Sequence, residues 1–426
     1  MNQNHDRLSP GGRGHYAWVI LAVSVLVTMA AIGLARFGYT MVLPSMKEGL
    51  ALTEIQAGDL ATGNLLAYLL LAAFGGYLAS RFGARTVIPA SLLVVAVSMF
   101  LTGRATSYAA ALLMRILTGL GSGGANVPVM GMLSAWFVSR RRGFASGVAV
   151  GGSSLALVAA GWLVPWILAR AGQNGWRSVW YVLAASVFLI ALAAMLLLRN
   201  RPSEKKLLPY GGTAGESEKA DEARPPPSIV RRWSLVYRSP MVWQLGVVYA
   251  AFGFSYIIYA TFFARYLTWE IGLSQAAAGR IWSGIGAGSL ASGLLWGAVS
   301  DRVGRKRALA LIFLVQGASY LLFGFWKAPA GYILSSVLFA LTAWSIPAVM
   351  AAAAGDVVGS RLAPAGLGFI TLFFGIGQAA GPFAAGRIAQ VWGSYTWAFA
   401  LAGGAALLGM LLSLSLRPFG GEPQEA

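Results

Sequence analysis

The sequence predicts an all-α membrane protein with twelve transmembrane helices, because its apolar residues fall in long runs and its charged residues are few. Of 426 residues, 57% are hydrophobic and 11% are charged, and the mean hydropathy is +0.67. A helix that crosses a bilayer needs about 20 predominantly apolar residues, so twelve of them would use roughly 240. What remains suffices for tails, short loops and one longer connection, and we expect no large soluble domain.

Apolar stretches separated by charged residues, glycine or proline mark the twelve predicted spans. They cover residues 17–46, 57–79, 87–103, 107–135, 144–169, 178–198, 241–264, 276–299, 308–326, 332–354, 366–391 and 396–416. Segment 199–240 is rich in proline and in charges of both signs, so it cannot bury enough apolar surface to fold alone. The predicted organisation is an N-terminal six-helix half (1–198), a cytoplasmic linker (199–240) and a C-terminal six-helix half (241–426).

The net charge of +18 would by itself suggest a nucleic-acid binder, but the chain is too apolar for that class. The distribution of the positive residues along the chain predicts instead how the protein is oriented in the membrane. With a cytoplasmic N-terminus, 22 Lys and Arg lie on cytoplasmic loops and tails and six lie outside. Positive residues concentrate on cytoplasmic loops. We therefore expect both termini in the cytoplasm, a bacterial inner membrane as the location, the lipid bilayer as a partner and no nucleic acid.

Catalysis and metal binding have no residues to carry them in the predicted spans. The chain has no cysteine, and its two histidines, His5 and His15, precede the first apolar run. All fourteen acids lie in tails, in loops or at predicted helix ends. The sequence therefore predicts no catalytic residue, no metal site and no cofactor, and a membrane enzyme is disfavoured.

An internal repeat relates the two halves. Gly58-Asp59 corresponds to Gly279-Arg280, and SRFG at 80–83 corresponds to DRVG at 301–304, at a constant offset of 221. Asn126-Val127-Pro128 pairs with Ser345-Ile346-Pro347 at an offset of 219. Parallel repeats of this kind are typical of transporters, whose substrate site lies near the bilayer midplane between the halves.

The repeated loops resemble a known family. GYLASRFGAR at 76–85 and GAVSDRVGRK at 297–306 are similar to the two copies of the major facilitator superfamily signature, and Arg115 with the glycines that follow it resembles that superfamily's helix 4 motif. The resemblance implies the major facilitator fold. The charges also predict a gating role by themselves: Asp301, Arg302 and Arg305 lie where helix 8 meets the cytoplasmic surface, and such charges can pair across helix ends in one conformation and separate in the other. Positive charges alone would satisfy topology there. Ser80 departs from the acid of the signature's first copy.

Four basic residues lie within predicted spans: Arg36, Arg115, Arg280 and Arg387. A buried arginine needs a counter-charge, and no acid is available at depth, so the missing partner is expected to be an anionic substrate. Arg36 is the leading candidate, since it lies ten residues before Met46, or about 15 Å of helix. The alternative is that Arg36 extends to the interface or hydrogen-bonds a backbone carbonyl.

The other three arginines are expected to have structural or gating roles. For Arg115 we favour a hydrogen bond to backbone carbonyls of helix 1. Arg280 and Arg387 lie nearer the outer helix ends, where they either pair with rim acids such as Asp59 or extend to the interface.

Polar side chains in otherwise apolar runs complete the expected binding cavity. They are Tyr39, Asn64, Tyr68, Asn126, Tyr256, Tyr259, Ser345 and Gln378. About half of them are expected to serve only in packing between helices. Asn126 and Ser345 are favoured because each lies two residues before a proline, which frees backbone carbonyls in equivalent helices.

These observations predict a monomeric secondary transporter whose halves rock about a central site and carry a small organic anion. A monocarboxylate fits one arginine with several tyrosines, and YAWV at 16–19 loosely resembles the monocarboxylate and oxalate:formate branch of the superfamily. Three ways of driving transport stay open: exchange of one anion for another, facilitated movement, and entry of a proton with the bound acid. A drug or metabolite exporter is the nearest alternative, and a non-transporting receptor is a more distant one.

Overall fold

The computed structural model of the chain describes residues 14–212, 236–359 and 362–417. Their helices, numbered in chain order, are α1 Ala17–Gly49, α2 Glu54–Phe82, α3 Ala84–Arg104, α4 Tyr108–Trp136, α5 Ser139–Ala171, α6 Gly175–Leu197, α7 Pro240–Trp269, α8 Gln275–Ser289 with Ser292–Val303, α9 Arg305–Phe325, α10 Pro329–Thr342 with Ser345–Val358, α11 Ala363–Trp392 and α12 Thr396–Leu414.

Among the described residues, ten helices are long and apolar enough to cross a membrane. The other two, α4 and α8, occupy the fourth and eighth predicted spans. Helix α4 contains Arg115, Asn126 and several glycines, which lower its hydropathy, and α8 is divided at residues 290–291 into two short segments. The predicted all-helical membrane fold is confirmed, while the count of twelve spans stays a prediction.

Three helices are irregular in the middle of the bundle. Helix α1 is π-helical over Met29–Phe37, and π-helical turns are frequent at functional sites. Helices α8 and α10 are both broken, and the two breaks are in contact. The backbone amide of Trp344 at the α10 break donates to the Ser292 hydroxyl at the α8 break at 3.2 Å. The Trp344 indole also donates to Ser154 of α5 at 2.9 Å, which ties the α10 break to the first half.

The two halves pack against each other at one end of the bundle, here called the Glu54 end, which is the predicted extracellular end. Helix α2 packs on α11, the first segment of α8 packs on α5, and the second part of α1 packs on α7. Glycines permit the close approach: a Cβ added at Gly161 would lie 2.3 Å from the Gly279 carbonyl oxygen, and one at Gly58 would lie 2.4 Å from that of Pro382.

At the opposite end, here the Arg81 end, the halves separate. The second segment of α8 packs on α9 and α10 of its own half. Large apolar side chains of α2 such as Phe74, Tyr77 and Phe82 are more than half exposed. The space between the halves therefore opens toward the predicted cytoplasmic side.

The first part of the predicted linker packs on the first half. The Trp136 indole donates to the Arg199 carbonyl at 2.9 Å, and the Arg85 amide donates to the Asn200 side chain at 2.9 Å. Tyr210 pairs its backbone with Trp136 at 2.8 Å. Aromatic and apolar side chains anchor this stretch in spite of its charges, which the composition argument missed. Linker residues 213–235 lie outside the described residues.

Candidate functional site

A small cavity lies between the halves, on the Glu54 side of Arg36. It has room for about one water molecule. Its lining comes from α1, α2, α4 and α7, and consists of Arg36, Phe37, Tyr39, Thr40, Ala61, Asn64, Leu65, Arg115, Ile257 and Thr261. This space is too small for an organic molecule. On the other side of Arg36 lies the space between the halves that opens toward the Arg81 end, here called the cleft.

Arg36 lies at the boundary between the cavity and the cleft. It belongs to the π-helical segment of α1, and 9% of its surface is exposed. Its guanidinium lies 4.4 Å above the centre of the Tyr68 ring and interacts with the Tyr256 hydroxyl. Within the described residues it forms no ion pair, and its Nε and Nη2 are buried without a hydrogen-bond partner. An arginine in this state has N–H groups available for a ligand.

Four of the predicted polar residues surround the cleft side of Arg36. Asn126 of α4 donates from Nδ2 to the Tyr68 hydroxyl at 3.0 Å. On the opposite half, Gln378 of α11 donates to the Tyr256 hydroxyl. Each tyrosine oxygen thus accepts a hydrogen bond, which leaves its own proton free to donate to a ligand. The structure brings both halves together around Arg36, as the repeat predicts.

An aromatic wall continues this site in the second half. The rings of Tyr249, Phe252 and Tyr256 lie along α7, and Phe374 of α11 packs against all three with ring centres 4.5 to 6.1 Å apart within the group. Ring stacking of this kind contributes packing energy and rigidity. The three rings of α7 are buried in the second half, and the wall touches the site through Tyr256, whose hydroxyl interacts with Arg36.

Arg115 is a structural residue next to the site. It is 1% exposed, and its Nη1 donates to the Ala35 carbonyl of α1 at 2.7 Å, which is the kind of contact the sequence favours. Asn64 donates to the Arg115 carbonyl at 2.9 Å, and the Tyr39 hydroxyl donates to the Ala57 carbonyl at 2.8 Å. Arg115 Nη1, Asn64 and Tyr39 are thus engaged by the fold, and Arg115 holds the residue before Arg36 in place. Arg115 Nε has no hydrogen-bond partner among the described residues.

Two predicted binding residues lie elsewhere. Tyr259 is fully buried inside the second half, where its hydroxyl lies 3.1 Å from that of Ser335 and its ring packs against Phe339. Ser345 is fully buried at the α10 break and donates to the Thr342 carbonyl. Their expected place in the cavity is therefore wrong, because the polar group of each is already satisfied by its own half.

A buried ionic cluster closes the Glu54 end. Glu54 Oε1 lies 2.9 Å from Arg265 Nη2 and 3.2 Å from Lys47 Nζ. Its Oε2 accepts from the Tyr395 hydroxyl at 2.6 Å, and its backbone amide donates to Gln390 at 3.0 Å. Lys47 belongs to the first half, and the other three partners belong to the second. We call these five residues the Glu54 cluster; it joins the halves.

Sequence reasoning missed the Glu54 cluster. Residues 54 and 265 lie outside the predicted spans, where a charge ordinarily meets water, yet Glu54 is 6% and Arg265 is 5% exposed. The available signal was the capping box of Thr53 and Gln56, which places the start of α2 at Glu54 and brings the carboxylate to the helix end that packs on α11.

A second ion pair at this end matches the expectation for Arg387. Its Nη1 lies 3.1 Å from Asp59 Oδ1, between α11 and α2. Both side chains are partly exposed, 40% for Arg387 and 24% for Asp59. Arg280 is exposed, and among the described residues it has no ion pair, so its expected pairing with a rim acid is not found.

Comparisons with known proteins agree with this architecture. A family model described as "Uncharacterised MFS-type transporter YbfB" matches residues 28–414. The chain belongs to the major facilitator superfamily. It is 26% identical to the probable sulfoacetate transporter SauU of Cupriavidus necator over 94% of each chain. It is 25% identical to the hexuronate transporter of Bacillus subtilis over 92% of each chain. With monocarboxylate transporter 13 of Bos taurus it shares 27% identity over 81% of this chain and 76% of that one.

Solved structures show the same fold. A bacterial homolog of the human lysosomal transporter Spinster, in an inward-facing and occupied conformation, has a TM-score of 0.72 at 17% identity, covering 95% of this chain and 96% of that one. The nucleoside transporter NupG has a TM-score of 0.73 at 13% identity, covering 93% and 99%. The major facilitator fold and the transporter class are therefore established for this chain.

The two signature loops of the superfamily differ in this structure. In the second copy, Arg305 contacts Asp301 at the end of α8, and its Nε donates to Asp356 of α10 at 3.1 Å. In the first copy, Ser80 donates to the Tyr77 carbonyl at 2.7 Å and holds no charge. Arg302 is exposed. All these contacts lie within one half, as expected where the halves are apart.

Proposed function

We propose that this transporter carries a small organic anion, with a monocarboxylate as the simplest substrate, and that Arg36 binds its acid group. The observation that carries the proposal is the free Nε and Nη2 of a guanidinium that is nine-tenths buried and has no carboxylate partner among the described residues. A buried charge without a counter-charge is costly, and an anionic substrate would remove that cost. Arg can hold a carboxylate through two parallel N–H bonds.

The surroundings of Arg36 support an anion. Free protons on Tyr68 and Tyr256 add donors on both halves, since each hydroxyl oxygen is already occupied as an acceptor. The three relatives named above are described as carriers of sulfoacetate, hexuronates and monocarboxylates, which are all organic anions. A drug exporter that binds cations would need an acid near Arg36, and the part of the chain that the structure describes places none there.

Alternating access follows from the packing of the two ends. In the present conformation the substrate reaches Arg36 through the cleft at the Arg81 end, while the Glu54 cluster blocks the other side. We propose that rocking of the halves separates Glu54 from Arg265 and Tyr395 and opens the Glu54 end. We further propose that the Arg81 end is cytoplasmic and that the protein lies in a bacterial inner membrane, on the distribution of its positive charges.

Transport in reconstituted liposomes tests the role of Arg36. Uptake of labelled acetate, lactate, sulfoacetate and glucuronate would be measured for wild type, Arg36→Gln and Arg36→Lys. We expect Arg36→Gln to lower kcat/KM for the transported acid about 100-fold, as removal of one side of a buried charged contact does. Arg36→Lys should fall in between, since it keeps the charge but not the paired N–H groups.

The matched control is Arg280→Gln, which removes an exposed arginine from another span. It should transport within twofold of wild type. Unchanged acid uptake by Arg36→Gln would contradict the assignment of Arg36, and uptake confined to cations or neutral sugars would contradict the anionic substrate.

A further inference from the structure

Asn126 has an unused hydrogen-bond acceptor next to the same group of residues around Arg36. Its Nδ2 donates to the Tyr68 hydroxyl at 3.0 Å, while its Oδ1 is buried without a partner among the described residues. A buried polar atom without a partner costs about 1 to 3 kcal/mol, so such atoms in folded proteins usually have a ligand or water to satisfy them. The amide oxygen needs a donor, and an anionic group cannot supply one.

The free donors and the free acceptor lie beside one side chain, Tyr68. The Arg36 guanidinium lies 4.4 Å above the centre of the Tyr68 ring, and Asn126 contacts the hydroxyl of the same tyrosine. A short molecule bound beside Tyr68 could therefore accept from the N–H groups of Arg36 and donate to the Oδ1 of Asn126.

The chemistry of that second group is restricted. An ammonium group would donate to Asn126, but it would enter a site that already contains the Arg36 cation and, among the described residues, no carboxylate. A neutral hydroxyl donates without adding charge. The polar side chains around Arg36 leave the Asn126 Oδ1 acceptor and several donors free, which matches an acid that also carries a hydroxyl.

We propose that the transported acid is a hydroxy acid and that Asn126 selects it by accepting the hydrogen bond of its hydroxyl. The inference rests on the proposed function, because Arg36 must hold the acid group for the hydroxyl to reach Asn126. Arg36 then confers the preference for anions, and Asn126 confers the preference among anions of similar size.

Matched pairs of acids test the proposal in proteoliposomes: lactate against propionate, and glycolate against acetate. Each pair differs by one hydroxyl group. Wild type should take up the hydroxy acid with kcat/KM at least about 10-fold above that of its partner, since a site built to bind a hydroxyl rejects the analogue that lacks it. In Asn126→Leu, which keeps the volume and removes the acceptor, the ratio should fall to near 1.

Two further variants complete the design. Tyr68→Phe removes the hydroxyl that orients Asn126 but keeps the ring beneath Arg36, so the ratio should fall while uptake of both acids continues. Ser122→Ala is the matched control on α4, because the Ser122 hydroxyl already donates to the Thr118 carbonyl at 2.8 Å; its ratio should equal that of wild type.

The outcomes separate the two proposals. Equal wild-type uptake of lactate and propionate, with both lost in Arg36→Gln, would overturn the role of Asn126 and leave the anion transporter in place. Undiminished uptake of both acids by Arg36→Gln would overturn the proposed function itself, and the selection by Asn126 with it. The wild-type comparison needs no variant to fold.

Discussion

The two ends of this transporter use charged residues in opposite ways. At the Glu54 end, the charges of the Glu54 cluster are nine-tenths buried or nearly so and join the two halves. At the Arg81 end, Arg305 contacts Asp301 and Asp356 within one half, and those acids are 66% and 37% exposed. Burial strengthens an ion pair and raises the cost of breaking it, whereas exposed pairs contribute little. The comparison indicates that the buried cluster determines which end is closed.

Removing the Glu54 carboxylate should have the largest effect on which end of the transporter is closed. Glu54→Gln leaves Arg265 buried without an anion, at a cost of about 3 kcal/mol, which corresponds to a roughly 100-fold shift toward opening at that end. Because the chain has no cysteine, Thr261→Cys in the small cavity beside Arg36 gives a single reporter. Its labelling by an impermeant maleimide would be followed in cells and in inside-out vesicles.

Glu48→Gln is the matched control for this experiment, since Glu48 is an exposed acid near the same end. The labelling rate from the Glu54 side should rise in Glu54→Gln and stay at the reference value in Glu48→Gln. Equal rates in the two variants would show that the cluster does not hold this end closed.

The glycine contacts at the Glu54 end provide a second way to weaken closure, without changing any charge. In Gly161→Ala, the added Cβ would lie 2.3 Å from the Gly279 carbonyl oxygen, so α5 and α8 must move apart. Overpacking of this size costs about 1 to 3 kcal/mol, and we expect roughly 10-fold faster labelling of the same reporter.

Gly147→Ala is the control on the same helix, because an added Cβ there meets no atom within 4 Å. A slow, wild-type rate in Gly161→Ala would mean that the contact between α5 and α8 adjusts without opening the end. In that case closure would depend on the ionic cluster alone.

The sequence predicts the helices and the two halves well, because apolar runs and the internal repeat are carried by residues close together in the chain. It also predicts the group around Arg36, since Tyr68, Asn126 and Tyr256 are polar residues at matching depths. The breaks in α8 and α10 depend on contacts such as Trp344 with Ser292, which form only after the helices pack. Local patterns contain no signal for such contacts.

The Glu54 cluster likewise depends on contacts between distant residues that local sequence patterns do not reveal. Glu54 and Arg265 are separated by 211 positions, and each lies at a helix end where a charge ordinarily meets water. Only the packing of α2 on α11 removes that water. Tyr259 shows the opposite error: it lies one turn from Tyr256 on α7, but buried serines of α10 already satisfy its hydroxyl.

The smallest effect is expected at the Arg81 end. Asp356→Asn removes one of two acids from Arg305, which keeps Asp301 and also donates to the Ser300 hydroxyl at 2.6 Å. A partly exposed pair contributes about 0 to 1 kcal/mol, so the Tm in detergent should fall by less than about 2 °C. Arg302→Gln, which alters an exposed neighbour, is the control. If Asp356→Asn lowered the Tm as much as Glu54→Gln does, the charges of the two ends would be equally important to this conformation. The contrast between a buried link across the halves and an exposed link within one half would then not explain why the Glu54 end is closed.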